Sequence, residues 1–181
     1  MRMSNLKSCG FIQISLPGMF GNNPKSKYKR TMSNSSYMSQ ALDQAEAAAA
    51  RGEVPVGAVL VDPLTDEVVA ADGNRTRELD DPTAHAEMLV IRAGAAARGS
   101  ERLVGCDLYV TLEPCPMCAQ AISFARIRRL YFAASDEKSG GVEHGPRVFA
   151  ASSCHHAPEV YGGIDEVRAA TMLREFFKNR R

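Results

Sequence analysis

The stretch DLYVTLEPCPMCAQAISFARIRRLYFA, residues 107–133, decides the fold. Residues 107–112 are β-branched and aromatic and read as a strand, and residues 129–133 read as another. Between them, residues 115–126 read as a helix with Pro116 near its start. A helix joining two strands is a crossover, the connection that parallel neighbours in one sheet require. The helix itself is apolar nearly all round, through Met117, Ala119, Ala121, Ile122, Phe124 and Ala125. Such a helix is buried on more than one side, either by the fold or by a second subunit, and a homodimer is the expectation.

Upstream, residues 37–51 are Ala-rich and read as a helix stopped by Gly52. Residues 54–61 form a β-branched run, and residues 68–71 a second strand after a turn at 63–66, so the two should pair as an antiparallel hairpin. A further helix opens with Asp81 as N-cap and Pro82 in the first position, and runs to about Arg98 before Gly99. Downstream come a short strand near 159–161 and a last helix from Asp165 to the end. The order α-β-β-α-β-α-β-β-α predicts an α/β protein, a three-layer α/β/α sandwich on a mixed five-stranded sheet.

The composition is that of a water-soluble globular protein, with 45% apolar and 24% charged residues and no apolar run long enough for a membrane span. The net charge of +1 conceals an asymmetry: residues 1–42 carry six basic residues and no acid, and the remainder carries sixteen Lys/Arg against twenty-one acids. Any nucleic acid must therefore be held by a local patch of the body, not by its overall charge. Residues 1–33 lack periodicity and read as a disordered extension, a transit peptide, or a misassigned start with Met32 or Met38 as the true first residue. Residues 34–181 form the folded domain. Five cysteines, two of them in Cys115-Pro-Met-Cys118, fit a reduced, cytoplasmic metal protein better than a disulfide framework.

His85 and Glu87 lie near one helix start, and Cys115 and Cys118 near another. Helix N-termini lower thiol pKa, and a spacing of three puts both sulfurs on one face. One imidazole and two thiolates make a tetrahedral zinc site with its fourth position open to water, which points to catalysis. Zinc brings bound water towards a pKa of roughly 7, and Glu87 is the expected proton shuttle. Positions two apart do not face each other on a regular helix, so Glu87 must reach back or His85 must lie in an irregular first turn. Cys9, Cys106 and Cys154 read as ordinary cysteines, and His144, His155 and His156 as surface or substrate-loop residues.

These motifs resemble the cytidine/deoxycytidylate deaminase superfamily, whose zinc-binding members carry an HxE…PCxxC signature. Over residues 37–181 the chain is similar to the bacterial tRNA-specific adenosine deaminases within it, on EVPVGA (53–58), DPTAHAE (81–87), YVTLEPCPMC (109–118), DEKSG (136–140) and FFKNRR (176–181). The resemblance implies a cytidine-deaminase-like fold and conversion of wobble adenosine 34 of a tRNA anticodon to inosine, by zinc-activated hydroxide attacking C6. It implies His85, Cys115 and Cys118 as ligands to one Zn2+ per subunit, Glu87 as the shuttle, and no organic cofactor. It places Asn74, Val56 and Ala84 against the target nucleoside, and Asp136 and Lys138 on a loop that touches the anticodon backbone; Arg180 and Arg181 read either as phosphate contacts or as a basic, solvated helix end.

The region of Cys154, His155 and His156 departs from the family's usual Asn-His-Arg stretch, so contacts there are not carried over. Guanine deaminase, acting on the free base, shares the HAE and PCPMC motifs, and Pro116 is typical of it. Thr111-Leu112 before Glu113, the Val-Pro-Val-Gly run, the Asp-x-Lys-x-Gly loop and the double-Phe basic ending favour the tRNA enzymes. A cytidine deaminase proper carries a third cysteine where this chain has His85. A non-enzymatic RNA-binding subunit with structural zinc typically lacks the glutamate, and Glu87 is present.

Overall fold

The computed structural model describes residues 33–178 and Arg180. The expectations placed on residues 1–32 and on Arg181 lie outside the described residues. Four helices, α1 (Asn34–Ala50), α2 (Ala86–Arg98), α3 (Pro116–Phe124) and α4 (Glu166–Lys178), surround one sheet. Its strands are β1 (Gly57–Asp62), β2 (Glu67–Gly73), β3 (Asp107–Leu112), β4 (Arg129–Ala134) and β5 (Glu159–Tyr161). They lie in the order β2-β1-β3-β4-β5. Strand β1 runs antiparallel to both its neighbours, whereas β3, β4 and β5 are mutually parallel, as the crossover reading of residues 107–133 requires.

The period of two along each strand builds two cores. Ala58, Leu60, Leu108, Val110, Leu130 and Phe132 pack with Ala86 and Val90 of α2 and Ala119 and Ile122 of α3. Their sequence neighbours Val59, Val61, Tyr109, Tyr131 and Ala133 pack on the other face with Met38, Ala41 and Leu42 of α1 and Ala169 of α4. The register pairs Tyr109 with Tyr131 and Tyr131 with Tyr161, and their rings stack at 4.5 and 5.0 Å between centroids. Helix α1 sits so close to the hairpin that a Cβ on Gly57 would lie 2.1 Å from the Ala41 carbonyl oxygen.

Several element boundaries differ from the sequence reading: β1 starts at Gly57 rather than at Val54, and the bounds of α2 and α3 bear on the site. Asp81 and Pro82 do not open α2. The Asp81 carboxylate instead accepts from the backbone and the hydroxyl of Thr83, both at 2.7 Å, and makes a local turn. Helix α2 begins at Ala86, whose N–H donates to Asn74 Oδ1 at 2.9 Å, so the acceptor for that helix start comes from the end of the hairpin. Helix α3 spans Pro116–Phe124, and Arg126 takes a left-handed φ of 58° just beyond it. Among the described residues no helix is long and apolar enough to cross a membrane.

Candidate metal centre and its pocket

The later helix start removes the geometric difficulty with Glu87. His85 is the N-cap of α2, in extended conformation (φ −72°, ψ 152°), and Glu87 lies in the first turn. Cys115 is likewise the extended N-cap of α3, with Cys118 one turn in. The two helix starts converge. His85 Nδ1 lies 3.7 Å from Cys115 Sγ and 3.5 Å from Cys118 Sγ, and all three donor atoms fall within 4.8 Å of one another. A tetrahedral ion with zinc–sulfur bonds of about 2.3 Å and zinc–nitrogen bonds of about 2.0 Å holds nitrogen and sulfur about 3.5 Å apart. The donor set and its spacing fit zinc.

The electrostatics agree. The Cys115 thiol is pushed down to about 4 by the hydrogen bond from Cys118, against its burial and with help from His85. Donating that bond, together with burial, pushes Cys118 up. The bond to Cys115 raises His85, against desolvation. A bound divalent cation releases the protons of such a cluster. Beside it, Glu87 is 3% exposed, and burial pushes its carboxyl up to about 6. Glu87 Oε2 has no hydrogen-bond partner. A buried carboxylate oxygen without a partner is costly in a merely structural setting and is a mark of a working site.

The cluster opens into a cavity of about 210 Å³ lined by Val54, Val56, Asn74, Thr76, Leu112 and Asp136, among others. Val56, Asn74 and Asp136 therefore all border the cavity beside the cluster. Asn74 Oδ1 is engaged by the Ala86 N–H, which leaves its amide as a free donor at the cavity. Ala84 is fully buried, and it does not line the cavity; its carbonyl accepts from Arg75 N–H. Lys138 is exposed on the neighbouring loop, where its N–H donates to Asp136 Oδ1. Arg180 donates to the Gly52 carbonyl at 2.9 Å and lies over the Phe176 ring at 4.0 Å. A wider groove of about 860 Å³ at α4 is lined by Glu46, Asp165, Glu166, Arg168 and Glu175 and lacks metal-type donors other than acids.

Two buried carboxylates that tie down segments beside the cavity escaped the sequence reading. Glu53 is 1% exposed and accepts from the Thr76 hydroxyl and from the backbone N–H groups of Arg77 and Glu78. Glu113 is 2% exposed and holds the loop on the opposite side of the cavity. The available signal was an acid standing directly against an apolar strand run at each place. His156 is spent on the Ile127 carbonyl and His155 is exposed, so neither joins the cluster, and the four described cysteines are free thiols.

A layered α/β/α sheet with one His and two Cys on converging helix starts defines the class of zinc-dependent nucleobase deaminases. The family model "cytidine and deoxycytidylate deaminase zinc-binding region" matches residues 31–134, and the chain belongs to that family. Within it, the chain is 59% identical over 145 residues to the tRNA-specific adenosine deaminase of Agrobacterium fabrum, covering 80% of this chain and 94% of the relative. A solved structure from studies of A-to-I editing by tRNA:A34 deaminases matches with a TM-score of 0.74 and 59% identity, over 76% of this chain and 98% of that one. The guanine deaminase of Nitrosomonas europaea matches with a TM-score of 0.66 over 80% of this chain and 84% of that one, but at 22% identity it shares only the fold.

Proposed function

We propose that the protein hydrolyses adenosine to inosine at the wobble position, 34, of a tRNA anticodon, and that residues 34–181 are the deaminase domain. The observation that carries the chemistry is the partnerless, buried Glu87 oxygen beside the His85, Cys115 and Cys118 cluster. The substrate follows from 59% identity along 94% of a tRNA-specific adenosine deaminase.

His85, Cys115 and Cys118 would hold one zinc ion per subunit. When bound, zinc supplies a water acidic enough to be deprotonated at neutral pH. Glu87 takes one proton from the attacking water and passes it to the ring nitrogen next to C6, then takes the second from the hydroxyl now on C6 and passes it to the amino group, which leaves as ammonia as the C6–N bond breaks. Its raised pKa suits a group that must both accept and return a proton. Val56 and Leu112 offer apolar walls to the flipped base, and the Asn74 amide donates to an acceptor on the nucleoside. Ala84 acts through its backbone, by holding Arg75 next to Asn74. Lys138, Arg180 and Arg181 supply positive charge to anticodon phosphates, with Arg180 pivoting from Gly52 to do so. A single-stranded loop presents its base to such a pocket at modest cost. The assembly is a homodimer, and the free thiols and a tRNA substrate support a cytoplasmic location.

The test is to incubate the protein separately with an anticodon stem-loop bearing adenosine 34 and with free guanine, measuring inosine and xanthine. Inosine confined to the stem-loop is expected; xanthine alone would assign the pocket to a free-base enzyme.

A further inference from the structure

Glu113 closes β3 just before the Cys115 helix start, and its carboxylate accepts five hydrogen bonds. The backbone donors are Asp136 at 3.0 Å, Val142 at 3.2 Å, Glu143 at 2.9 Å and His144 at 3.0 Å. The fifth is the His144 ring, Nδ1 to Oε2 at 2.7 Å. All five come from one loop, residues 136–144. With four backbone N–H groups donating to it, the Glu113 carboxylate is the acceptor of this cluster. Nδ1 of His144 is therefore the donor in the ring contact.

The same loop is the outer wall of the cavity, through Asp136 and Ser139. It has no slack. A Cβ on Gly140 would lie 2.5 Å from Glu113 Oε1, and one on Gly141 would lie 2.6 Å from Pro116 N. Beyond the anchor the chain turns through left-handed Gly145 (φ 54°) and Arg147 (φ 47°). One further tie, from Gly141 N–H to the Pro114 carbonyl at 2.8 Å, fastens the loop to the Cys115 segment.

We propose that His144 is a positioning residue: its ring sets the rotation of the Glu113 carboxylate, and that carboxylate holds the 136–144 loop in place as the substrate-side wall of the pocket. One carboxylate oxygen, Oε1, takes three backbone donors, and the other, Oε2, takes only Asp136 and the ring. Removing the ring leaves Oε2 with Asp136 alone, so the carboxylate can rotate and weaken its hold on that cavity-lining residue. The effect falls on substrate binding, because His144 touches neither the metal donors nor Glu87 among the described contacts.

The choice of substrate in the test rests on the function proposed above, so a second readout is independent of it. His144→Ala and His144→Asn are compared with the full-length zinc-loaded wild type; the Asn amide can donate from the place of Nδ1. For His144→Ala, KM for the adenosine-34 stem-loop is expected to rise about tenfold while kcat and zinc content stay within about twofold. Hydrogen exchange at the amides of Asp136, Val142, Glu143 and His144 is expected to quicken by about tenfold. His144→Asn is expected to recover most of both. Unchanged exchange, unchanged KM, zinc loss, or an Asn variant as defective as Ala would each overturn the proposal. A wild type that deaminates only free guanine would fail the substrate reading instead, and KM would then be compared on guanine with the exchange readout unaltered.

Discussion

Glu87 shows how one side chain acquires a role from its neighbours. Two residues from His85, it would face away on a regular helix, yet His85 is an extended N-cap and Glu87 falls in the first turn beyond it. Glu87→Gln keeps the shape and removes the capacity to carry a proton. We expect single-turnover deamination to fall by about 10²- to 10⁴-fold, with zinc content and stem-loop affinity retained. Undiminished turnover would remove the shuttle role. His85, Cys115 and Cys118 were legible as a cluster because few residue types bind zinc and the two cysteines stand at a short, fixed spacing, and Glu87 was legible because it lies two residues from His85. Glu53 and Glu113 were not. An acid beside a strand looks like a solvated edge until packing shows that it is 1% or 2% exposed and surrounded by backbone donors.

At the scale of elements, the site is made where two helix starts meet loops tied down by buried carboxylates. Glu53 anchors the segment after β2 that carries Asn74 and Thr76. Burial pushes Glu53 up, but the N–H groups of Glu78 and Arg77 and the Thr76 hydroxyl outweigh it, so its pKa lies below the ordinary 4.5. A folded pKa below the unfolded one stabilises at pH above the unfolded value, and that stability is lost as pH falls through the folded value. The melting temperature of the wild type should therefore drop below about pH 4.5. Glu53→Gln should cost about 1–3 kcal/mol at neutral pH and flatten that acid limb, as thermal melts from pH 7 down to 3 would show. An acid limb parallel to the wild type's would place the titrating group elsewhere. The element types and most strand bounds were readable from periodicity. The start of α2 was not, because Asn74 of the preceding segment, twelve residues back, supplies the acceptor for its first N–H.

For the whole molecule, the open question raised by the apolar α3 is what covers it. The fold buries Cys118, Ala119, Ile122 and Ser123 and leaves Phe124 62% exposed. An exposed phenylalanine on a helix whose other face is buried fits the homodimer proposed above. Phe124→Asp should convert a sedimenting dimer into a monomer, and a wild type that sediments as a monomer at the same concentrations would refute the dimer. By itself the sequence determined the layers, the crossover between parallel strands, the His-Cys-Cys cluster and the deaminase family, because periodicity and ligand spacing are local properties that tertiary context leaves intact. Only the tertiary structure decided where α2 starts, that Ala84 lies buried outside the cavity lining, that Arg180 is held on Gly52, and that Glu53 and Glu113 each tie down a segment bordering the pocket. Each of these depends on which backbone donors and carbonyls a side chain meets across the fold, and no spacing along the chain encodes that.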